Sequence, residues 1–284
     1  MNSRMLRNYS ICGKVVTINA PFFPSDSEDW QKFLVESAKS DITVECKVDG
    51  NLPEINGEWV KKGNYCYCVD GNIFYKHVNM GSADGAVVKT LLDAPMRKEI
   101  TFVEGSFKTL MDERYMWSTI GLAESLLHFD ALLLHASFIE VGGEAILFTA
   151  PCETGKSTQA ALWHQFCGAN IINGDKAGLC YSDGKVYACG VPFCGTSRIC
   201  ENKILPLKAI VELGQSPVNT VEKLTRVGGL QAVLGNTYID MQCPFVPIMC
   251  VDLISKILQR VTVYHLDCTP DERAVEALKS VISD

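Results

Sequence analysis

The sequence predicts an α/β protein in two unequal parts, a smaller β-rich region over residues 1–112 and a mixed region of sheet and helices over residues 113–284. Three observations predict it. A length of 284 residues exceeds the usual size of one domain. Short alternating runs separated by turn residues fill the first region. The second region contains both segments with helical periodicity and apolar strand-like runs. Its strands are expected to pair as hairpins as well as through helices.

The first region is expected to consist of short strands joined by tight turns. Asn56-Gly57 and Asp70-Gly71 suit hairpin turns because these residues tolerate positive φ. Residues 10–18 are predicted to form one strand, and residues 27–38 give the one clear helical pattern in this region.

The second region opens with a predicted helix over residues 113–129, in which apolar residues recur at helical spacing. The further predicted elements are strands over 131–141, 144–150, 169–173, 206–213 and 261–268, a hairpin over 177–190, and helices over 156–167, 225–239, 245–260 and 270–283.

Composition and charge exclude several classes of function. The net charge of −7, with scattered lysines and arginines, argues against nucleic-acid binding, which needs a basic face. No apolar run approaches the ~18–20 residues that span a bilayer, so no membrane association is expected. The start of the chain has no apolar leader pattern, which favours the cytoplasm. The 13 cysteines lack paired zinc-site spacing and are expected to be reduced, ordinary thiols rather than metal ligands.

A glycine-lysine loop follows the predicted strand at residues 144–150. Its spacing matches the phosphate-binding P-loop (Walker A) pattern, with alanine in the place of the first glycine. Backbone N–H groups near Gly155 and the start of the next helix would meet phosphate oxygens, Lys156 would neutralise β- and γ-phosphate charge, and the Ser157 hydroxyl would face Mg²⁺. The residues predicted to bind the nucleotide are Ala150, Pro151, Cys152, Glu153, Thr154, Gly155, Lys156, Ser157 and Thr158. The alternative is a tight strand-to-helix turn capped by Ser157.

A phosphate-transfer site also needs a carboxylate. Asp175 is the first acid after the loop that ends a buried strand, so it is the predicted Mg²⁺ ligand, with Ser157, and the predicted catalytic acid. The alternative is that residues 173–176 form an ordinary turn. Asp183 and Asp240 are weaker candidates. His135 ends an apolar run and, by itself, is more typical of a core histidine.

Four segments together resemble the catalytic domain of HPr kinase/phosphorylase and its relatives, which are similar to phosphoenolpyruvate carboxykinase around the nucleotide. They are residues 132–150, 151–158, 171–179 and 191–213. More closely, the chain resembles HPr-kinase-like proteins from bacterial gene sets for modified peptides. The resemblance covers residues 113–284. It implies a P-loop kinase fold, ATP with Mg²⁺, and phosphorylation of a serine hydroxyl on a peptide, protein or small molecule. It also implies catalytic roles for His135, Lys156 and Asp175, and an oligomer by analogy.

The chain departs from that family where two adjacent acids are usual, because here Asp175 is followed by Lys176. The Asp175 carboxylate would then have to bind the metal and also act on the acceptor hydroxyl, or Lys176 would bind a phosphate. The glycine-arginine segment associated with phosphorolysis is absent, so the reverse activity is not expected. Two alternatives stay open: a non-catalytic ATP-binding sensor or peptide-presenting partner, and a carboxykinase-type enzyme. The second predicts more basic residues near the site than Arg198, Lys203 and Lys208 provide.

Overall fold

The computed structural model describes residues 4–23, 27–37, 39–80 and 83–282, and it divides into two compact units, Met1–Ser125 and Leu126–Asp284. The sequence pattern changes earlier, near Asp112. Each unit is built on its own mixed β-sheet. No helix in the described ranges is long and apolar enough to cross a membrane.

The first unit is an eight-stranded sheet with a few short helices. Its strands are β1 (Met5–Ile11), β2 (Lys14–Ala20), β3 (Ile42–Asp49), β4 (Val60–Lys62), β5 (Tyr65–Asp70), β6 (Ile73–Met80), β7 (Ala83–Leu91) and β8 (Arg97–Val103). They lie in the order β1-β2-β3-β8-β7-β6-β5-β4. The short helices are α1 (Glu28–Gln31), α2 (Phe107–Leu110), α3 (Met116–Thr119) and α4 (Leu122–Leu127), the last of which spans the division between the units.

Two predictions for the first unit are wrong. Residues 10–18 form a hairpin between β1 and β2, because Cys12 and Gly13 take positive φ of 53° and 72° and turn the chain back. The helix predicted over 27–38 ends after one turn at Gln31. The chain then pairs with the free edge of β1, where Leu34 bridges Tyr9, the Val35 N–H donates to the Asn8 carbonyl and the Ser10 N–H donates to the Phe33 carbonyl.

The helix predicted over residues 113–129 is interrupted. Gly121 has a φ of +61°, which ends α3 and separates it from α4. The Gly121 carbonyl accepts from the Lys98 ammonium as well as from the Ser125 N–H of α4. The apolar spacing is therefore helical in character, but glycine divides it.

The second unit carries nine strands and four long helices. Its strands are β9 (Ala131–Val141), β10 (Glu144–Thr149), β11 (Asn170–Asn173), β12 (Lys176–Ser182), β13 (Lys185–Cys189), β14 (Ile204–Gln215), β15 (Thr220–Lys223), β16 (Thr237–Tyr238) and β17 (Thr262–Cys268). Its helices are α5 (Lys156–Cys167), α6 (Arg226–Gly235), α7 (Val246–Leu258) and α8 (Glu272–Ile282), with a 3-10 turn at Gly195–Ser197.

Two long strands, β9 and β14, organise this sheet. The first half of β9 pairs with β12 and its second half with β10. Strand β14 pairs with β13 at its start and then runs parallel to both β10 and β17. Because β10, β14 and β17 are parallel, the segments that follow them emerge at the same edge of the sheet, where ligands bind in α/β proteins.

The core of the second unit anchors this edge. Phe148 of β10 and Trp163 of α5 are fully buried beside Val211 of β14 and Leu278 of α8. Apolar burial of this kind contributes about 1.5–3 kcal/mol for each large side chain. The loop between β10 and α5 is therefore held at both ends by packed elements.

Candidate phosphate-transfer site

The loop between β10 and α5 has the backbone shape that an anion site requires. Gly155 caps the helix with a φ of +115°, a conformation open only to glycine, and nothing lies within 4 Å of the place where a Cβ would point. Glu153 also has a positive φ, of 63°. Since the first N–H groups of a helix lack partners within it, the start of α5 presents donors and a positive dipole end to this open space.

Lys156 is folded back across the loop. Its ammonium donates to the carbonyl oxygens of Ala150 at 2.9 Å and Pro151 at 3.0 Å, and the residue is only 7% exposed. Burial lowers the pKa of Lys156, while nearby Cys152 and Asp175 act in the opposite direction. The loop therefore holds a buried cation whose partners are neutral carbonyls.

Asp175 reaches the loop because a short turn positions it. The Asn173 side-chain oxygen accepts from the backbone N–H groups of Asp175 and Lys176, both at 2.9 Å. The Asn173 amide nitrogen donates to the carbonyl of Val191 at 2.9 Å. The predicted turn at residues 173–176 thus exists, and it also carries the carboxylate, so the two readings of this segment are compatible.

Two side chains hold the Asp175 carboxylate. His135 Nε2 lies 3.4 Å from one oxygen, and the Lys176 ammonium contacts the other. Burial raises the pKa of Asp175, but these hydrogen bonds and charges outweigh it and lower the pKa to about 2. His135 and Lys176 are cross-strand partners in the ladder of β9 and β12, which explains why both reach this acid.

Gly174 links the acid to the loop. Its carbonyl accepts from the hydroxyl of Ser137 at 2.9 Å and, more weakly, from the hydroxyl of Ser157 at 3.4 Å. A Cβ on Gly174 would lie 2.4 Å from the Ser197 hydroxyl oxygen. The crowding expected around this glycine is therefore present, and it comes from the 3-10 turn at Gly195–Ser197.

The same 3-10 turn closes over the carboxylate. Gly195 has a φ of +59°, and a Cβ there would lie 2.8 Å from the Asp175 carboxyl carbon. Tyr238, from β16, forms another wall, since its ring lies 5.7 Å from the His135 ring and 5.1 Å from the Lys176 ammonium. Burial, followed by the charge of Asp175, raises the pKa of Tyr238, so it stays neutral.

Backbone pairing in the sheet places Asp175 and the start of the loop level with each other on neighbouring strands. The Ala136 N–H donates to the Asp175 carbonyl, and Ala136 pairs with Thr149, the last residue of β10 before the loop. Thr149 in turn pairs with Glu212 of β14. The acid and the loop thus lie two strands apart on one edge of the sheet, a separation of about 10 Å.

The structure brings together most residues predicted for the site. Lys156, Ser157, Asp175 and His135 converge around Gly174 and the loop, although their roles stay predictions. Cys152, in the loop, is exposed. The weaker candidates lie elsewhere: Asp183 is at the opposite end of β12 from Asp175. Asp240 is buried in the loop between β16 and α7.

Sequence reasoning missed Tyr238 and Gly195. Tyr238 was assigned to the end of a helix over residues 225–239, whereas α6 stops at Gly235 and Tyr238 joins β9 through β16. The signal that could have found this break is Gly235-Asn236, a common helix-ending pair. The glycine at 195 carries no signal of its proximity to Asp175 in the sequence.

Comparisons with known proteins add little to this geometry. No family model matches the chain, and no curated protein matches it. Among solved structures, the chain is similar to the HPr(Ser) kinase/phosphatase from Coxiella burnetii, with 12% sequence identity over 45% of this chain and 90% of that chain, and a TM-score of 0.24. At that level of similarity, function has to rest on the residues of the site.

Proposed function

We propose that the second unit is an ATP-dependent kinase that transfers the γ-phosphoryl group to a serine hydroxyl of a peptide, protein or small molecule. The observation that carries the proposal is the meeting at Gly174 of an ionised acid, Asp175, with the first turn of a helix that follows a glycine-lysine loop. An acid held beside a loop of this kind is the arrangement that phosphoryl transfer requires.

The loop supplies the binding of the phosphates. Backbone N–H groups at the start of α5 would bind phosphate oxygens, and Lys156 would exchange its two carbonyl contacts for β- and γ-phosphate oxygens. Charge-assisted hydrogen bonds are stronger than the neutral ones that they replace. The same donors would stabilise the negative charge that spreads over the phosphoryl oxygens during transfer.

The residues present fit a Mg²⁺ ion. The Ser157 hydroxyl and the Asp175 carboxylate are oxygen donors, which Mg²⁺ prefers; the hydroxyl bonds the Gly174 carbonyl, and Asp175 is the next residue in the chain. When bound, the ion would neutralise phosphate charge. Lys176 occupies one oxygen of Asp175, so the negative charge at this point is smaller than an acidic pair would give.

Asp175 is better suited to orienting the acceptor hydroxyl than to removing the proton of that hydroxyl completely. A carboxylate with a pKa of about 2 is a weak base at neutral pH. Phosphoryl transfer passes through a loose transition state that needs little proton removal, so a positioned acceptor hydroxyl suffices. His135, bonded to the same carboxylate, would hold its orientation.

The carboxykinase alternative is less well supported. It calls for free basic residues beside the phosphate site. Of the three basic residues named above, Lys203 pairs with Glu140 at 2.6 Å and Lys208 with Glu144 at 3.5 Å, which leaves Arg198 alone for this role. The sensor alternative predicts ATP binding without transfer, and turnover separates it from a kinase.

The test is transfer of label from γ-labelled ATP, with Mg²⁺, to a library of serine-containing peptides. Asp175→Asn keeps the shape of the side chain and removes its charge. We expect it to bind ATP with modest weakening and to transfer label about a hundredfold more slowly, the scale of a lost acid–base group. Equal transfer by both proteins would make Asp175 a turn residue, and ATP binding without transfer by the wild type would favour the sensor.

Lys176→Asp is the companion variant. It restores an acidic pair beside Asp175. A gain in transfer would show that Lys176 replaces a catalytic acid, whereas a loss would show that one acid suffices and that Lys176 is needed, through its contact with Asp175 or with a phosphate.

A further inference from the structure

A cavity that does not include Asp175 lies beside the loop between β10 and α5. It has a volume of about 550 Å³, within the range of small-molecule sites. Its walls include Thr154 and Thr158 from the loop and α5, Gln215 at the end of β14 with Pro217 after it, and Pro270 after β17. The cavity thus occupies the carboxyl ends of the parallel strands.

The loop separates this cavity from Asp175. The pairing that runs from Asp175 through Ala136 to Thr149 continues from Thr149 to Glu212 on β14 and from Glu212 to His265 on β17. Strands β14 and β17 each run three residues beyond that row, and their last residues, Gln215 and Cys268, line the cavity. A molecule bound across the loop would therefore have one end at Asp175 and the other in the cavity.

The chemistry of the cavity differs from that of the loop. Among the described residues that line it there is no lysine or arginine, and Glu153 is the only charged one. Hydroxyl and amide groups stand beside the rings of Pro217 and Pro270. Such walls suit a neutral planar group with hydroxyls, and they do not suit another phosphate.

Gln159 is a polar residue in these walls whose hydrogen bonding is incomplete. It is 2% exposed, and its amide nitrogen donates to the Cys268 sulfur at 3.2 Å. The Cys268 thiol itself donates to the Gly214 carbonyl, which fixes the direction of the bond from Gln159. The Gln159 oxygen has no hydrogen-bond partner. A buried oxygen without a partner is destabilising, and a ligand donor would satisfy it once the amide turns toward the cavity.

We infer that this cavity holds the nucleoside end of the triphosphate and that Gln159 accepts a hydrogen bond from its base or ribose. The inference rests on the proposed kinase function, since the loop must bind the phosphates. It fixes the direction of the nucleotide, with the γ-phosphate toward Asp175 and the nucleoside beyond β14. Affinity then depends on the nucleoside as well as on the phosphates.

The test compares calorimetric titrations of the full chain with Mg·ATP and with Mg·tripolyphosphate, which lacks a nucleoside. Wild-type protein should bind ATP at least tenfold more tightly than tripolyphosphate. Gln159→Leu, which keeps side-chain volume and removes the acceptor, should weaken ATP at least about tenfold and leave tripolyphosphate within twofold. Ser216→Trp, which fills the cavity from another lining residue, should give the same pattern while keeping the Gln159 side chain.

Gln259→Leu is the matched control, because Gln259 is an exposed glutamine at the end of α7, away from the loop. It should change neither affinity. Equal binding of both ligands by the wild type, or ATP affinity unchanged in both Gln159→Leu and Ser216→Trp, would overturn the inference while leaving the phosphate site intact. Binding of neither ligand by the wild type would remove the proposed kinase function itself.

Discussion

Asp175 is the residue whose surroundings decide what the site can do. His135 and Lys176 hold its two oxygens, and the pKa falls to about 2 despite burial. The lowered pKa means that folding stabilises the ionised form of the Asp175 carboxyl relative to its protonated form. The same contacts that orient the carboxylate therefore also stabilise the fold.

The stability contribution of Asp175 should depend on pH in a defined direction. Because its folded pKa lies below the ordinary value of 3.8, the contribution is present above about pH 4 and is lost as the pH falls toward 2. After allowance for its partial exposure we expect about 1 kcal/mol. Asp175→Asn should lower the unfolding free energy by that amount at pH 7, and the difference should shrink below pH 4.

Asp183→Asn is the control for this measurement. Asp183 lies in the exposed turn between β12 and β13, with a positive φ of 51° that asparagine tolerates. Denaturant unfolding of this variant should match the wild type within about 0.5 kcal/mol at every pH. A constant difference between wild type and Asp175→Asn down to pH 2 would contradict the assigned ion pairs.

At the scale of elements, the 3-10 turn at Gly195–Ser197 controls the space beside the acid. Gly195→Ala would place a methyl group 2.8 Å from the Asp175 carboxyl carbon and displace it. A displacement of about 1 Å can cost about a hundredfold in rate. We expect transfer to fall by about that factor, with only modest weakening of Mg·ATP binding, as measured by label transfer and calorimetry.

Gly184→Ala separates this effect from backbone strain. Gly184 also has a positive φ, of 75°, but nothing lies within 4 Å of its Cβ position. Alanine there should cost about 1–2 kcal/mol of stability and leave transfer unchanged. Equal loss of transfer in both glycine variants would show that strain, and not contact with Asp175, is responsible.

The elements that sequence reasoning predicted well are those whose apolar pattern agrees with their tertiary role. Strands β9 and β10 and helix α5 appear at the predicted positions. The two strands are apolar runs, and Gly155 marks the start of the helix. The helix predicted over 27–38 failed because the free edge of β1 competes for the same residues. The helical spacing of apolar residues gives no information about competition from another segment of the chain.

At the scale of the whole molecule, the loop and Asp175 could be predicted as parts of one site, since both follow buried strands. Tyr238, Gly195 and Gln159 could not, because their proximity depends on how distant segments pair. Tyr238 reaches the site only through its pairing with β9, and Gln159 faces Cys268, more than one hundred residues later in the chain. The first unit offers a sheet and no assigned function.

The most direct test of the central claim, that residues 150–158 bind the phosphates of ATP, is calorimetric titration with Mg·ATP. Lys156→Ala removes the cation folded across the loop, and Lys185→Ala removes an exposed lysine from β13 as a control. We predict that the wild type and Lys185→Ala bind alike and that Lys156→Ala, still folded by circular dichroism, binds at least about a hundredfold more weakly. Unchanged affinity in folded Lys156→Ala, or no binding by the wild type, would contradict the account.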